Sequence, residues 1–240
     1  MPNTPKIKII HEDKDFIIIN KPSGLITHND TKDNIKDSVA KQIIKLFPEI
    51  KNIGEQDDRF ERSGIVHRLD TDTSGIMIIA RTQKFYDFIK KQFQEHKIQK
   101  EYRALVYGHF KTDKGMIKDP IGRSKSDFRK YVCGRFARGE MRPAETYYEV
   151  LNQGVKDNEN YSYLAIFPKT GRTHQIRVHM KHIHHGVLAD SLYMPNHKTL
   201  GLDRHALHAY KITFKDERGN ICQFEAELAN DMLDLISKIC

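Results

Sequence analysis

Strand-like runs in this chain follow one another directly. KIKII at 6–10 and FIIIN at 16–20 are joined by a polar turn, and Lys21-Pro22-Ser23-Gly24 ends the second. AETYYEVL at 144–151 and YSYLAIF at 161–167 flank a long polar connection, and HALHAYKITF at 205–214 is followed by ICQFEAEL at 221–228. Strands this close in sequence pair antiparallel, because a parallel return needs a crossover of a dozen or more residues. Helical periodicity is confined to a few places. Ile35, Val39, Ile43, Leu46 and Phe47 predict a helix over 34–47, stopped by Pro48. A stripe of Phe85, Phe88, Ile89, Gln92 and Phe93 predicts one over 83–97. KTGRTHQIRVHMKHIHHG reads as a helix with Thr173 as N-cap, Ile176, Met180 and Ile183 on one face and Gly186 at the C-cap, and DMLDLISKI closes the chain. Strands grouped with strands and few helices predict an α+β fold, a mixed and mainly antiparallel sheet flanked by helices. No Ser/Gly/Pro-rich joint appears, so a single domain over 1–240 is expected.

The 240 residues are 38% hydrophobic with mean hydropathy −0.64, the balance of a folded chain that can bury a core. The apolar runs are far below the roughly 20 residues a membrane helix needs. The start, MPNTPKIKIIHEDKD, has no apolar core of a secretory signal, and Glu12, Asp13 and Asp15 argue against a transit peptide. Cys133, Cys222 and Cys240 are odd in number and widely spaced, which predicts neither a disulfide framework nor a thiolate metal site. A reducing cytoplasm is the expected setting, and a monomer the expected state.

The formal charge is +8, from 40 Lys and Arg against 32 Asp and Glu. It is localised. Residues 1–60 carry ten of each sign, whereas RSKSDFRKYVCGRFARGEMR at 123–142 carries seven basic residues against Asp127 and Glu140. Phe128, Tyr131 and Phe136 are interleaved with the cations, a mixture that holds phosphates and stacks on unpaired bases, although a solvated basic loop or hairpin has the same composition.

Nucleotide-binding glycine patterns, a serine-hydrolase elbow and a zinc-protease helix are all absent. Five histidines crowd into 174–185, but no Asp or Glu lies between Tyr163 and Asp190 and a helix would scatter the rings, so no metal site is expected. Asp70 stands in a Thr/Ser/Gly loop directly ahead of the apolar strand Ile76–Ala80, a placement that suits a functional carboxylate on a rigid sheet. Taken alone, such an Asp caps its own loop.

HRLDTDTSGIMIIAR at this point resembles the RluA-type family of RNA pseudouridine synthases, and further segments match in the same order: NKPSGLITH at 20–28, KEYRALVYG at 100–108, DPIGR at 119–123, AETYYEVL, FPKTGRTHQIRVHMKHIHHGVLAD at 167–190 and ALHAYKITF at 206–214. The resemblance covers about residues 6–215. It implies an enzyme that isomerises a uridine of structured RNA, ribosomal RNA or a tRNA stem-loop, to pseudouridine, with no metal, redox or nucleotide cofactor. It also implies site residues. Asp70 matches the essential carboxylate, with attack on the sugar, attack on the base or removal of a sugar proton all open to it. Tyr102 matches the tyrosine expected against the uracil, and Arg177 the arginine expected to pair with Asp70. Arg68 matches the arginine thought to fill the space of the extruded base. Arg123, Arg129, Lys130, Arg135 and Arg172 are expected RNA contacts. Lys21 is either a phosphate contact or a brace for the Asp70 loop, His67 is expected to orient that loop, and Gly75, Gly171 and Gly186 are expected at tight turns. Many relatives carry an N-terminal S4-like RNA-binding module. Only a few residues precede KIKII here, so the grip on RNA is expected to fall to 123–142. A non-catalytic RNA-binding protein and a histidine-based metal hydrolase are the competing readings.

Overall fold

A computed structural model describes residues 4–28, 37–55 and 63–239. The expected helix start at 34–36, part of the charged loop before Gly64 and Cys240 lie outside the described residues. In chain order the strands are β1 (Lys8–Glu12), β2 (Phe16–Lys21), β3 (Ser74–Ala80), β4 (Gln99–Tyr107), β5 (Lys114–Ile117), β6 (Ile121–Ser124), β7 (Tyr131–Cys133), β8 (Ala137–Arg142), β9 (Thr146–Lys156), β10 (Glu159–Pro168), β11 (Leu207–Lys215) and β12 (Ile221–Glu225). The helices are α1 (Val39–Leu46), α2 (Gln83–Gln94), α3 (Gln175–His182) and α4 (Asn230–Ile239). The α+β class and the mainly antiparallel sheet are as the strand grouping predicts.

The chain forms two compact units, residues 1–99 with 209–227, and 100–208 with 228–240. In the first, β1, β2 and β3 pair antiparallel and β11 lies beside β3, with β12 antiparallel to the 211–215 half of β11. Gly75 is required in this sheet. Its φ is +119°, and a Cβ there would stand 2.2 Å from the Ala209 carbonyl oxygen. Helix α1 is capped by Ser38, whose Oγ accepts from Lys41 N, and α2 by Thr82, whose side chain accepts from Phe85 N. Phe85, Ile89 and Gln92 of the predicted stripe are buried.

In the second unit β4, β10, β9 and β5 make a sheet in that order, antiparallel throughout. The connection between β9 and β10 is shorter than expected. Asp157 and Asn158 take left-handed conformations, φ +50° and +62°, and close a two-residue turn, so most of the polar stretch extends the two strands. Asp and Asn tolerate that region, and such turns match the strand twist. The basic segment is not a loop: β7, β6 and β8 form a separate three-stranded antiparallel sheet.

Helix α3 is found, but with other caps than predicted. Thr173 precedes the helix, and His174 occupies the N-cap in a left-handed conformation, φ +55°, with no side-chain cap. Instead Gln175 turns back and its Oε1 accepts from Arg172 N at 3.0 Å. At the other end His184, φ +66°, takes the left-handed position given to Gly186. Gly186 serves close packing, since a Cβ there would lie 2.3 Å from the Met194 sulfur.

Candidate active site

Asp70 is half-buried in the loop between Ile65 and β3, and the first unit grips that loop from several sides. Lys21 ends β2 with its side chain fully buried, its Nζ donating to the carbonyls of Pro22 at 2.9 Å, Leu25 at 2.7 Å and Thr71 at 2.8 Å. A buried ammonium needs such acceptors, and with three carbonyls on it Lys21 is the brace of the two sequence readings. Gly24 N adds a bond to the same Thr71 carbonyl. On the other flank Thr27 Oγ1 donates to the Leu69 carbonyl at 2.9 Å and accepts from Leu69 N. His67 accepts from Ile78 N through Nε2 at 2.9 Å and stacks on Phe93, 4.8 Å between centroids. That ring nitrogen therefore carries no proton, and His67 positions the loop as expected. Thr73 N closes the turn onto the Asp70 carbonyl. Arg68 is exposed.

In the second unit Tyr102 is half-buried on β4 opposite Ile166 and packs on the apolar core. Arg177 is buried, although its spacing on α3 puts it on a flank of the stripe of Ile176, Met180 and Ile183. It is 6% exposed, and its guanidinium forks onto Asp190, Nε to Oδ2 at 2.7 Å and Nη2 to Oδ1 at 2.8 Å. Burial pushes the Asp190 carboxyl up, but the bonds and charge of Arg177, with His205 and the Tyr193 N–H, hold it below the ordinary carboxylate range. Tyr193 ties this pair to its surroundings. Its ring lies 5.1 Å from the guanidinium, and its hydroxyl accepts from Tyr131 N at 3.0 Å and bonds His174 Nδ1 at 2.9 Å. Sequence reasoning missed Asp190. As the first acid after a long acid-free stretch it stands out in the sequence, but nothing there shows that Arg177 is buried and needs a carboxylate.

The TGRTHQIRVH segment is held by side chains whose every polar atom is used. Gln175 accepts from Thr170 Oγ1 and Arg172 N and donates to the Glu145 carbonyl and Thr146 Oγ1. Thr146 Oγ1 in turn bonds His179 Nδ1 at 2.8 Å, and His179 Nε2 bonds the Asp119 carbonyl at 2.9 Å. His179 is thus a neutral core histidine with its proton on Nε2, and burial lowers its pKa. His185 Nδ1 bonds the Tyr107 carbonyl. Among the described residues no three His, Cys, Asp or Glu side chains gather as metal ligands.

The expected RNA contacts differ in how they are held. Arg129 is occupied by a two-pronged bond to Asp127, which Lys130 also approaches at 3.8 Å. Arg135 lies over the Phe136 ring. Arg123 and Arg172 line a cleft of about 560 Å³ together with Arg138 and Arg142.

The fold is similar to that of human RNA pseudouridylate synthase domain containing 1, which superposes with a TM-score of 0.76 at 23% identity, over 97% of this chain and 94% of that one. The sequence comparisons are narrower. The RNA pseudouridylate synthase family matches residues 15–182, and the chain belongs to that family. A ribosomal large subunit pseudouridine synthase D of Neisseria meningitidis is 34% identical over 99% of this chain. The Yersinia pestis protein of that name is 32% identical over 99% of this chain and 72% of its own length, and an RNA pseudouridine synthase of Bacillus subtilis 32% over 97% and 73%. The chain spans 62% of the length of the Neisseria relative.

Proposed function

We propose that the chain is an RNA pseudouridine synthase whose two units work as one catalytic domain, a reading supported by a family match that runs from one unit into the other. The observation that carries it is the anchoring of the HRLD loop. Lys21, Thr27 and His67 fix the backbone on both sides of the half-buried Asp70, which sets its carboxylate on a rigid frame.

In the reaction the N1–C1′ bond of a uridine breaks, the uracil turns, and C5 joins C1′. C5 then loses its proton and N1 takes one up, so atoms balance without a cofactor. Asp70 is the catalytic carboxylate, Tyr102 packs against the uracil, and Arg177 is the arginine that pairs with Asp70. Arg68, exposed beside Asp70, fills the gap left by the extruded base. Arg123, Arg135 and Arg172, with lesser shares from Arg129 and Lys130, meet the phosphates. The names of the relatives favour ribosomal RNA of the large subunit over tRNA as substrate, and with it a cytoplasmic setting. A monomer suffices for this chemistry.

Pseudouridine mapping of total RNA from cells with and without the gene tests the reading. One or more uridines losing their modification is the expected outcome. An unchanged map, together with no turnover by purified protein on those cells' RNA, overturns it.

A further inference from the structure

We infer that the cleft beside β6 and β8 is a phosphodiester site for an unpaired stretch of RNA, lined by Arg123, Arg138, Arg142 and Arg172. The identity of the polyanion rests on the pseudouridine-synthase reading; the existence of an anion site rests on geometry. Arg123 and Arg138 stand directly opposite each other in the β6–β8 ladder. Like charges so placed destabilise a sheet. No carboxylate among the described residues pairs with Arg138, and Arg123 has only the Phe128 carbonyl at 3.4 Å and the face of Tyr131.

The ladder is also irregular there. Ile121 pairs with Arg142 and Arg123 with Arg138, so β8 bulges between its two arginines, with Gly139 at φ +68° inside the bulge. A bulge re-aims side chains, and this one sets both arginines on one cleft lining. Arg172 joins them from the loop ahead of α3, its Nε fixed to the Pro143 carbonyl at 2.9 Å. Among the described residues Glu140 is the one carboxylate on the lining, and it is shared with Arg142 at 3.6 Å. A concave surface with this excess of guanidinium groups focuses field on an anion, and the fork geometry of each suits a phosphodiester.

The same sheet points to an unpaired strand. Phe128 and Phe136, on its two connections, are 71% and 63% exposed. Exposed rings on a cationic surface are stacking platforms for bases, whose faces are available only outside a duplex.

Fluorescence anisotropy with the full chain and a fluorescein-labelled oligouridylate, over a salt series, tests the site. R123Q/R138Q should weaken binding and lower the log–log salt slope by about 0.7 for each phosphate no longer neutralised. The charge-matched control K111Q/K238Q, two exposed lysines elsewhere, should do neither. F128L/F136L should weaken binding about tenfold per ring without moving the slope. Because R138Q relieves an unfavourable pair, it should raise Tm at low salt in the absence of RNA. The site is overturned if the slope of R123Q/R138Q is unchanged, if the control matches it, or if inorganic phosphate competes as well as the oligomer. Equal affinity for the oligomer annealed to oligoadenylate overturns its preference for unpaired RNA. None of these measurements reads turnover, so a chain that binds through the cleft yet makes no pseudouridine would overturn the functional reading and keep the site.

Discussion

Arg177 on α3 is aimed by Asp190: the guanidinium uses two of its nitrogens on a carboxylate that is itself fully buried. Oδ1 of that carboxylate also accepts from the backbone N–H groups of Leu192 and Tyr193. The arginine is therefore oriented by its own unit before any substrate arrives, and the direction of its third nitrogen, Nη1, is a property of the fold.

Breaking this pair should be expensive. Asp190→Asn leaves a buried guanidinium without its counter-charge, a change of about 3–5 kcal/mol in unfolding free energy. Arg177→Lys keeps a charge but cannot fork, so it should lose about 1–3 kcal/mol. Urea denaturation of the two variants measures both, and an Asp190→Asn protein as stable as wild type would show that the fork is not structural.

Asp70→Asn should behave in the opposite way. The loop is held through backbone atoms by Lys21, Thr27 and His67, so removing the Asp70 charge leaves those bonds in place. The variant should stay folded, with a single cooperative urea transition, while pseudouridine formation on a responsive RNA falls below detection. Substantial turnover by the variant would remove Asp70 from the catalytic role.

These two sites were unequally legible. The Asp70 loop could be read because it is local: the HRLD string, the Thr/Ser/Gly turn and the strand after it are consecutive. The partner of Arg177 could not, because a carboxylate thirteen residues away is chosen by tertiary packing, and helical periodicity places Arg177 on a flank that the fold then buries. The caps of α3 failed for a related reason. Thr173 has the right chemistry, but Gln175, whose four hydrogen-bonding positions are all used, fixes the entry to the helix. The basic segment was legible as charge. Its bulged sheet, which decides that Arg138 and Arg142 share a cleft, depends on a register that composition does not carry.

His179 should make the protein acid-sensitive from just below neutrality. Burial lowers its pKa from the ordinary 6.5, and Nδ1 must stay unprotonated to accept from Thr146. Below pH 6.5 the unfolded chain binds a proton that the folded chain refuses, so stability falls as pH drops through that range. Thermal unfolding between pH 7.5 and 5 should show a falling Tm. His179→Gln, whose amide stays neutral there, should flatten the fall; an equally steep fall in that variant would assign it to other groups.

Lys100 predicts the opposite trend at high pH. Burial lowers its pKa from 10.5 to about 8, and its Nζ is held by the Thr170 carbonyl at 3.1 Å, at the start of the loop that carries Arg172. The folded chain gives up this proton near pH 8, whereas the unfolded chain keeps it until about pH 10.5. Between those values the unfolded state binds more protons, so this lysine makes the protein more stable as pH rises, by on the order of 3 kcal/mol in all. Cys133 opposes it: its buried thiol is pushed up to about 12 from 9.0, and the unfolded chain loses that proton first. The comparison that isolates the lysine is therefore wild type against Lys100→Met, in which the Cys133 contribution cancels. The difference in unfolding free energy between the two should shift steadily from pH 8 to 10.5 in favour of wild type, and a difference independent of pH would show that Lys100 keeps an ordinary pKa in the folded protein.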